Sequence, residues 1–289
     1  MQMSKLLPHT LYHYCNCEAF QGIISSKTLR LSNVFESNDY LERKHIDTTV
    51  EDQIDRLALE YPREHVIKFK KITIQHYKSN RIEPAYCIAF SEAADLLSQW
   101  RGYADDGRGF AIGFAPIYFN LDQMVPFPNT APDKAIGIFD IIYETSTITK
   151  RIREVLRLSW EHYKKDMYAD NSTAMLNCAR ELILLASCTK NIGFSEEIEW
   201  RIMYTPLISY NGEVSTGKFP EIKFCLKNPG LISSYFELPF IEEKNITPIN
   251  EVIIGPKNIT NNNTVVHFLS KNGFDCTKIR IRPSDLSYR

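Results

Sequence analysis

The chain of 289 residues has no run approaching the ~20 consecutive apolar residues that a membrane-spanning helix needs. Its start carries Lys5 and a short Leu6-Leu7 pair stopped by Pro8, without the long apolar region of a secretory signal. The expectation is a cytoplasmic protein with no membrane partner. Charge of one sign is also lacking. Basic residues number 34 and acidic residues 35, so the net charge of −1 offers no general attraction to nucleic acid or an anionic membrane. The seven cysteines are an odd number scattered along a large chain, which suits a reduced interior better than a disulfide framework. No repeat, low-complexity segment or linker divides the sequence. P-loop, dinucleotide GxGxxG, HExxH and GxSxG signatures are all missing. The glycines of Gly107-Arg108-Gly109 follow a turn and enter a strand, not a helix, so they make no phosphate cradle.

What is present, 44% apolar and 24% charged residues, belongs to a globular protein long enough to bury a core. Residues 11–15 alternate Leu11, His13 and Cys15 against Tyr12 and Tyr14, the pattern of a strand. Asn16 is placed to cap a short helix with Phe20, Ile23 and Ile24 on its apolar face, and Leu29 and Leu31 open a second strand. From about 39 to 80 the pattern is polar and helical, with Val50, Ile54, Leu57 and Tyr61 in step and a break at Pro62. A buried strand at 85–90 leads through Ser91 to a short helix carrying Leu96, Leu97 and Trp100. Asp106-Gly107 marks a tight reversal, and strands follow at 110–114 and 137–143. Apolar stripes from Ile152 to Met167 and from Met175 to Ala186 predict two further helices. The remainder reads as strands at 196–204, 221–226, 231–240 and 251–256, a helix ending at Gly273, and a last strand. The sum is one α+β domain over 1–289, a central mixed sheet with helical insertions at about 39–80 and 150–190.

Three clusters carry chemistry. His13 lies beside Cys15 and Cys17, but zinc sites pair such ligands with a second pair elsewhere, and none exists, so no metal is expected. His13 is left either filling the core or gripping a substrate. Ser91, between a strand and a helix, is placed as an N-cap that also can face a ligand. Arg101 and Tyr103 read as part of a polar turn, where an arginine fork meets phosphate or carboxylate and a tyrosine ring stacks on a flat group. Glu197 and Glu199, two apart in an expected strand, project to one face with Arg201. They form either a solvent-facing ladder on a sheet edge or a carboxylate pair at the lip of a cleft. A metal-dependent nuclease using Glu197, Glu199, Asp105 and Asp106 as oxygen ligands is the weakest reading.

The stretches LYHYCNCEAFQGIISSKTLRLSN, LLSQWRGYADDGRGFAIGF and FSEEIEWRI, with the closing INEVIIGPKN and IRPSDLSYR, resemble a bacterial domain-of-unknown-function family almost from end to end. Its motifs are an L-Y-H-Y-like strand, S-x-W-R-x-Y and E-x-E-W-R. The first unit also resembles the histidine-type ADP-ribosyltransferases. They place a strand histidine, a short helix and a leucine-rich strand in this order, then an aromatic-plus-serine strand end, then a glutamate within E-x-E. Here those positions are His13, Phe90-Ser91 and Glu197-x-Glu199. That likeness implies a split sheet with NAD bound as substrate in its cleft. Glu199 then stabilises the developing positive charge, Glu197 serves the acceptor, and His13 and Ser91 hold ribose. Tyr14 or Tyr103 stacks on nicotinamide, and Arg30 or Arg101 meets the pyrophosphate. The acceptor is a protein, a nucleic acid or water, in a toxin or phage-defence effector. The rival is a non-enzymatic nucleotide- or protein-binding module of the same fold.

Overall fold

The computed structural model describes residues 5–34, 40–60, 63–78, 85–126, 131–165, 173–209, 211–216, 218–219, 221–228, 230–240 and 247–288. The chain opens with β1 (Leu11–Cys15), α1 (Cys17–Ser26) and β2 (Thr28–Asn33). Asn16 caps α1 by accepting the Ala19 N–H at 2.8 Å, and Lys27 ends it in the left-handed region at φ 53°. α2 (Tyr40–Glu60) and α3 (Arg63–Lys78) form the first helical insertion. Tyr61 and Pro62, used above to place its break, lie outside the described residues, as does Met167. β3 (Tyr86–Ser91), α4 (Leu97–Tyr103), β4 (Phe110–Phe114) and β5 (Ile136–Asp140) follow. α5 (Thr145–Lys165) and α6 (Thr173–Ser187) form the second insertion, and β6 (Glu199–Tyr204) returns to the sheet. The last part contains β7 (Leu207–Ile208), β8 (Val214–Thr216), β9 (Lys223–Asn228), β10 (Leu231–Pro239), β11 (Ile249–Ile254), α7 (Asn262–Lys271) and β12 (Arg280–Pro283).

The main sheet is mixed: β11 and β12 run parallel, and its other pairings are antiparallel. One half is ordered β12-β11-β4-β1, and the other contains β3 with β2, β10 and β9 on one side and β6 and β5 on the other. β1 pairs with β4 along all five residues, yet meets β3 in register only at Tyr12 and Ser91. β2 takes the same edge of β3 further along, at Cys87 and Tyr86. Between these two contacts the halves are separated by a seam.

Period-two alternation sends one set of side chains to each face. Leu11, Ile88, Ile112, Ile202 and Phe236 share a core with Phe20 and Ile24 of α1 and Val265 and Leu269 of α7. On the opposite face Trp100 of α4 and Ala104 just after it pack on Tyr14, Ala111 and Ile253, while Leu184 of α6 packs on Phe139 and Met203. The two insertions bury their own stripes against one another, with Val50, Ile54, Phe69, Leu156, Trp160 and Leu182 at the centre. α4 and α6 therefore flank the seam from the same side. Among the described residues no helix is long and apolar enough to cross a membrane.

Candidate functional site

Where β1 parts from β3, the ring of His13 enters the seam. Its Nδ1 lies 3.0 Å from the Ala89 carbonyl of β3, and its ring meets Phe90 edge-on at 5.9 Å. A carbonyl only accepts, so Nδ1 carries the proton and Nε2 of a neutral ring is left as an acceptor. Burial holds the imidazole pKa below its ordinary value and outweighs the Ala89 contact, which acts the other way. The imidazole thus stands in for a missing strand N–H while staying uncharged.

The facing wall is ionic. A 3₁₀ turn, Ile192–Glu197, precedes β6, its first turn closed by Asn191 accepting from the Gly193 N–H at 2.9 Å. Ile198 then adopts φ 43°, a left-handed conformation that a β-branched residue tolerates poorly. The expectation of one strand over 196–204 is corrected here: Glu197 ends the turn and Glu199 begins β6, so strand alternation does not relate them. The solvent-ladder reading is corrected too, because β6 lies between β3 and β5 and both glutamates are buried. What joins them is Lys190. Its Nζ donates to Glu197 Oε2 at 2.7 Å and to Glu199 Oε2 at 3.2 Å. Arg201 Nε donates to Glu199 Oε1 at 2.5 Å, and its other arm reaches the Ser187 carbonyl at 2.9 Å. Burial works against charge on Glu199, but Arg201 and Lys190 prevail and hold its carboxyl below the usual range. Burial likewise opposes charge on Lys190, and Glu199 and Glu197 overcome it, raising its pKa. The Glu199 N–H donates to the Tyr143 hydroxyl at 3.0 Å, fixing the first residue of β6.

α4 supplies the third side. Trp100 is fully buried, donates to Asp95 Oδ1 at 2.6 Å, and meets Tyr14 edge-on at 4.9 Å. Tyr14 donates to the Ala93 carbonyl at 2.8 Å and accepts from the Leu96 N–H at 3.0 Å, joining β1 to the start of α4. Gly109 closes the exit from the helix: a Cβ there would lie 2.0 Å from the Cys15 carbonyl, a distance no side chain allows. Cys15 is buried and Cys17 Sγ donates to the Arg108 carbonyl at 3.2 Å, so both serve this packing. The C-terminal residues clasp the same element. Asp95 accepts from Ser284 Oγ and from the Asp285 N–H, each at 2.7 Å, and Asp106 accepts from Tyr288 at 2.6 Å and from Lys257 at 2.8 Å.

These three sides enclose a recess lined by Tyr12, His13, Tyr14, Ala89, Phe90, Gln99, Tyr103, Glu197 and Glu199. Its void is about 70 Å³, or about 410 Å³ with the open mouth included. That holds a ring edge or a substituent and not a whole ring or a dinucleotide, so the rest of a larger ligand must lie across the mouth. Five residues expected from the sequence meet here: His13, Tyr14, Tyr103, Glu197 and Glu199. Three do not line it. Arg30, on β2, stacks its guanidinium over Tyr235 at 4.8 Å. Arg101 is exposed, and the polar turn assigned to it and Tyr103 is in fact the last turn of α4, where Tyr103 faces the recess. Ser91 pairs in register with Glu199, but its hydroxyl donates to the Glu197 carbonyl at 2.6 Å and accepts from the Ala93 N–H at 3.0 Å. It caps no helix, since α4 begins later with Leu96 as its N-cap. Lys190 and Gln99 were missed. A lysine after an apolar helix and a glutamine beside a tryptophan carry no local signal of their partners.

Residues 99–202 match the family model DUF2971, a protein family of unknown function. The match runs from Gln99 through Ile202 and so includes Tyr103, Lys190, both glutamates and Arg201, but not His13, and is shorter than the end-to-end likeness expected from the sequence. No curated protein and no solved structure matches the chain.

Proposed function

We propose that the chain is an ADP-ribosyltransferase-like enzyme that cleaves the nicotinamide–ribose bond of NAD and passes ADP-ribose to a macromolecular acceptor. The observation that carries this reading is the meeting of His13 with Glu197 and Glu199 in one small recess at a seam in the sheet. NAD supplies the bond that breaks, whose electron pair leaves with nicotinamide as positive charge develops on the ribose. Glu199, kept ionised by Arg201 and Lys190, accepts a hydrogen bond from the ribose 2′-hydroxyl that strengthens as that charge grows. The acceptor on His13 Nε2 orients a second ribose hydroxyl, and Tyr103 covers the ring at the mouth. Glu197 takes the proton that the attacking acceptor group gives up. A toxin or phage-defence role, and a protein or nucleic-acid acceptor, belong to the same proposal.

A second reading, a nucleotide-binding module without catalysis, draws on one observation: both oxygens of Glu199 are already engaged by cations. The two separate in one assay. Protein incubated with adenylate-labelled NAD and cell lysate is expected to release nicotinamide and label a macromolecule. Glu199→Gln is expected to slow this by about 100-fold or more, the scale of losing one preorganised electrostatic contact. Intact NAD after long incubation overturns the enzyme reading, and bound but intact NAD selects the module.

A further inference from the structure

Gln99 is buried, with 7% of its surface exposed, and it lines the recess. Its primary amide offers two donors and an acceptor, and these atoms open onto the recess instead of being sealed in the core. Among the described residues its side-chain amide makes no hydrogen bond, although the neighbouring Trp100 and Tyr14 are both satisfied. Gln99 and Tyr103 are one helical turn apart on α4 and face the same way. Tyr103 is 46% exposed at the mouth, and Gln99 lies deeper. A flat ring entering beneath Tyr103 therefore carries its substituent toward the Gln99 amide.

We infer that Gln99 is a specificity residue that pairs with a primary carboxamide on the ring held at the recess, accepting from its NH₂ and donating to its C=O. The inference rests on the NAD reading above and extends it: the pocket selects the carboxamide of nicotinamide against the carboxylate of nicotinic acid. A carboxylate has two acceptors and no donor, so it leaves the Gln99 carbonyl facing a negative oxygen. Lys190 and Arg201 do not favour the acid, because Glu197 and Glu199 already balance their charge. Sites built to satisfy a polar group discriminate strongly against analogues that do not fit it.

The test compares binding of NAD and nicotinic acid adenine dinucleotide by calorimetry, which needs no turnover. Wild type is expected to prefer NAD by about tenfold or more. Gln99→Met, of matching length, is expected to bring the two affinities within about threefold of each other. Gln99→Glu still accepts from the NH₂ but repels the acid, so its preference for NAD is expected to persist. Gln99→Asn withdraws the amide by one methylene and, should the methionine variant unfold, is expected to lose the preference in its place. A folded Gln99→Met that keeps the wild-type ratio overturns the inference while leaving NAD as the ligand. Wild type that binds neither nucleotide overturns the NAD reading and the inference with it.

Discussion

One wall of the recess is neutral and the other is ionic. Along β1 and α4 stand Tyr12, His13, Tyr14, Gln99 and Tyr103; across from them are Glu197 and Glu199, backed by Lys190 and Arg201. The neutral wall is fixed largely by hydrogen bonds to backbone, as when His13 meets Ala89 and Tyr14 spans Ala93 and Leu96. The ionic wall is fixed by balance, two carboxylates against two cations, all buried. A neutral hydrogen bond contributes about 1 kcal/mol, whereas breaking a buried ion pair leaves a charge without compensation and costs about 3–5 kcal/mol. The first wall is therefore open to adjustment, and the second holds the site's electrostatics in place.

The largest expected effect comes from breaking that balance. Lys190→Met leaves Glu197 and Glu199 with only Arg201, and is expected to lower unfolding free energy by about 3–5 kcal/mol in urea titration. Adding Glu197→Gln is expected to restore part of the loss, since it removes one of two like charges; equal stability of the single and double variants would falsify the balance. The wild-type pH profile follows from the same ions. Glu199, whose folded pKa is depressed, contributes stability above the ordinary carboxylate range, and that contribution fades as pH falls through its folded value. Lys190, whose folded pKa is raised, contributes below the ordinary lysine range and loses its contribution as pH rises through its folded value. Lys190→Met is expected to abolish the alkaline loss.

The neutral wall is tested through His13. Its folded pKa is depressed, so the stability it contributes is present above about pH 6.5 and declines as pH falls through that value toward the folded one. Tyr14, Tyr103, Glu197 and Glu199 share the recess with it. His13→Phe keeps a ring in the seam but leaves the Ala89 carbonyl without a donor, and is expected to cost about 1–3 kcal/mol. The decline below about pH 6.5 is expected to disappear with it. A folded variant that keeps this decline assigns it to another group.

What the sequence made legible was local. The LYHYC alternation, the Asn16 cap and the stripe from Ile152 to Trp160 each describe neighbours along the chain, and the corresponding elements stand where they were expected. The site was legible in part. His13, Glu197 and Glu199 do line one recess, but the geometry joining the glutamates is not strand alternation. Nothing about an isoleucine announces a left-handed turn, and the buried lysine that gathers both carboxylates comes from the loop after α6. Gly102 and the Asp105-Asp106-Gly107 run suggested a turn where α4 still had a turn to complete, so Tyr103 was read on the wrong element. Gln99 was invisible because an amide open to a recess is a property of its surroundings.

Ile198 joins the walls' comparison to the backbone. A left-handed β-branched residue between the two glutamates stores strain of about 1–3 kcal/mol that the ion cluster must hold in place. Its side chain is 39% exposed, so little packing is lost on removing it. Ile198→Gly is expected to raise stability by about 1 kcal/mol in the same urea titration, because glycine adopts φ 43° without penalty. The backbone between Glu197 and Glu199 is then freer, although Lys190, Arg201, Tyr143 and Ser91 still hold them. A lower rate of nicotinamide release is therefore expected to accompany the gain. Lower stability in this variant would show that the side chain contributes more by packing than the turn stores as strain.

A comparably small effect is expected where the neutral wall meets the C-terminus. Ser284 donates to Asp95, the same carboxylate that receives Trp100 and the Asp285 N–H. Ser284→Ala removes one of three bonds to Asp95, which keeps the other two, and the bond its hydroxyl accepts from the Leu286 N–H at 3.1 Å, so a loss of about 1–2 kcal/mol is expected. Trp100 lies between Gln99 and Arg101 on α4, so the variant also reports whether the tail sets the position of Gln99. If it does, the NAD preference over nicotinic acid adenine dinucleotide weakens along with stability. An unchanged preference means that Tyr14 and the Trp100 packing hold the helix without help from the tail, and that the neutral wall is rigid despite its individually weak bonds.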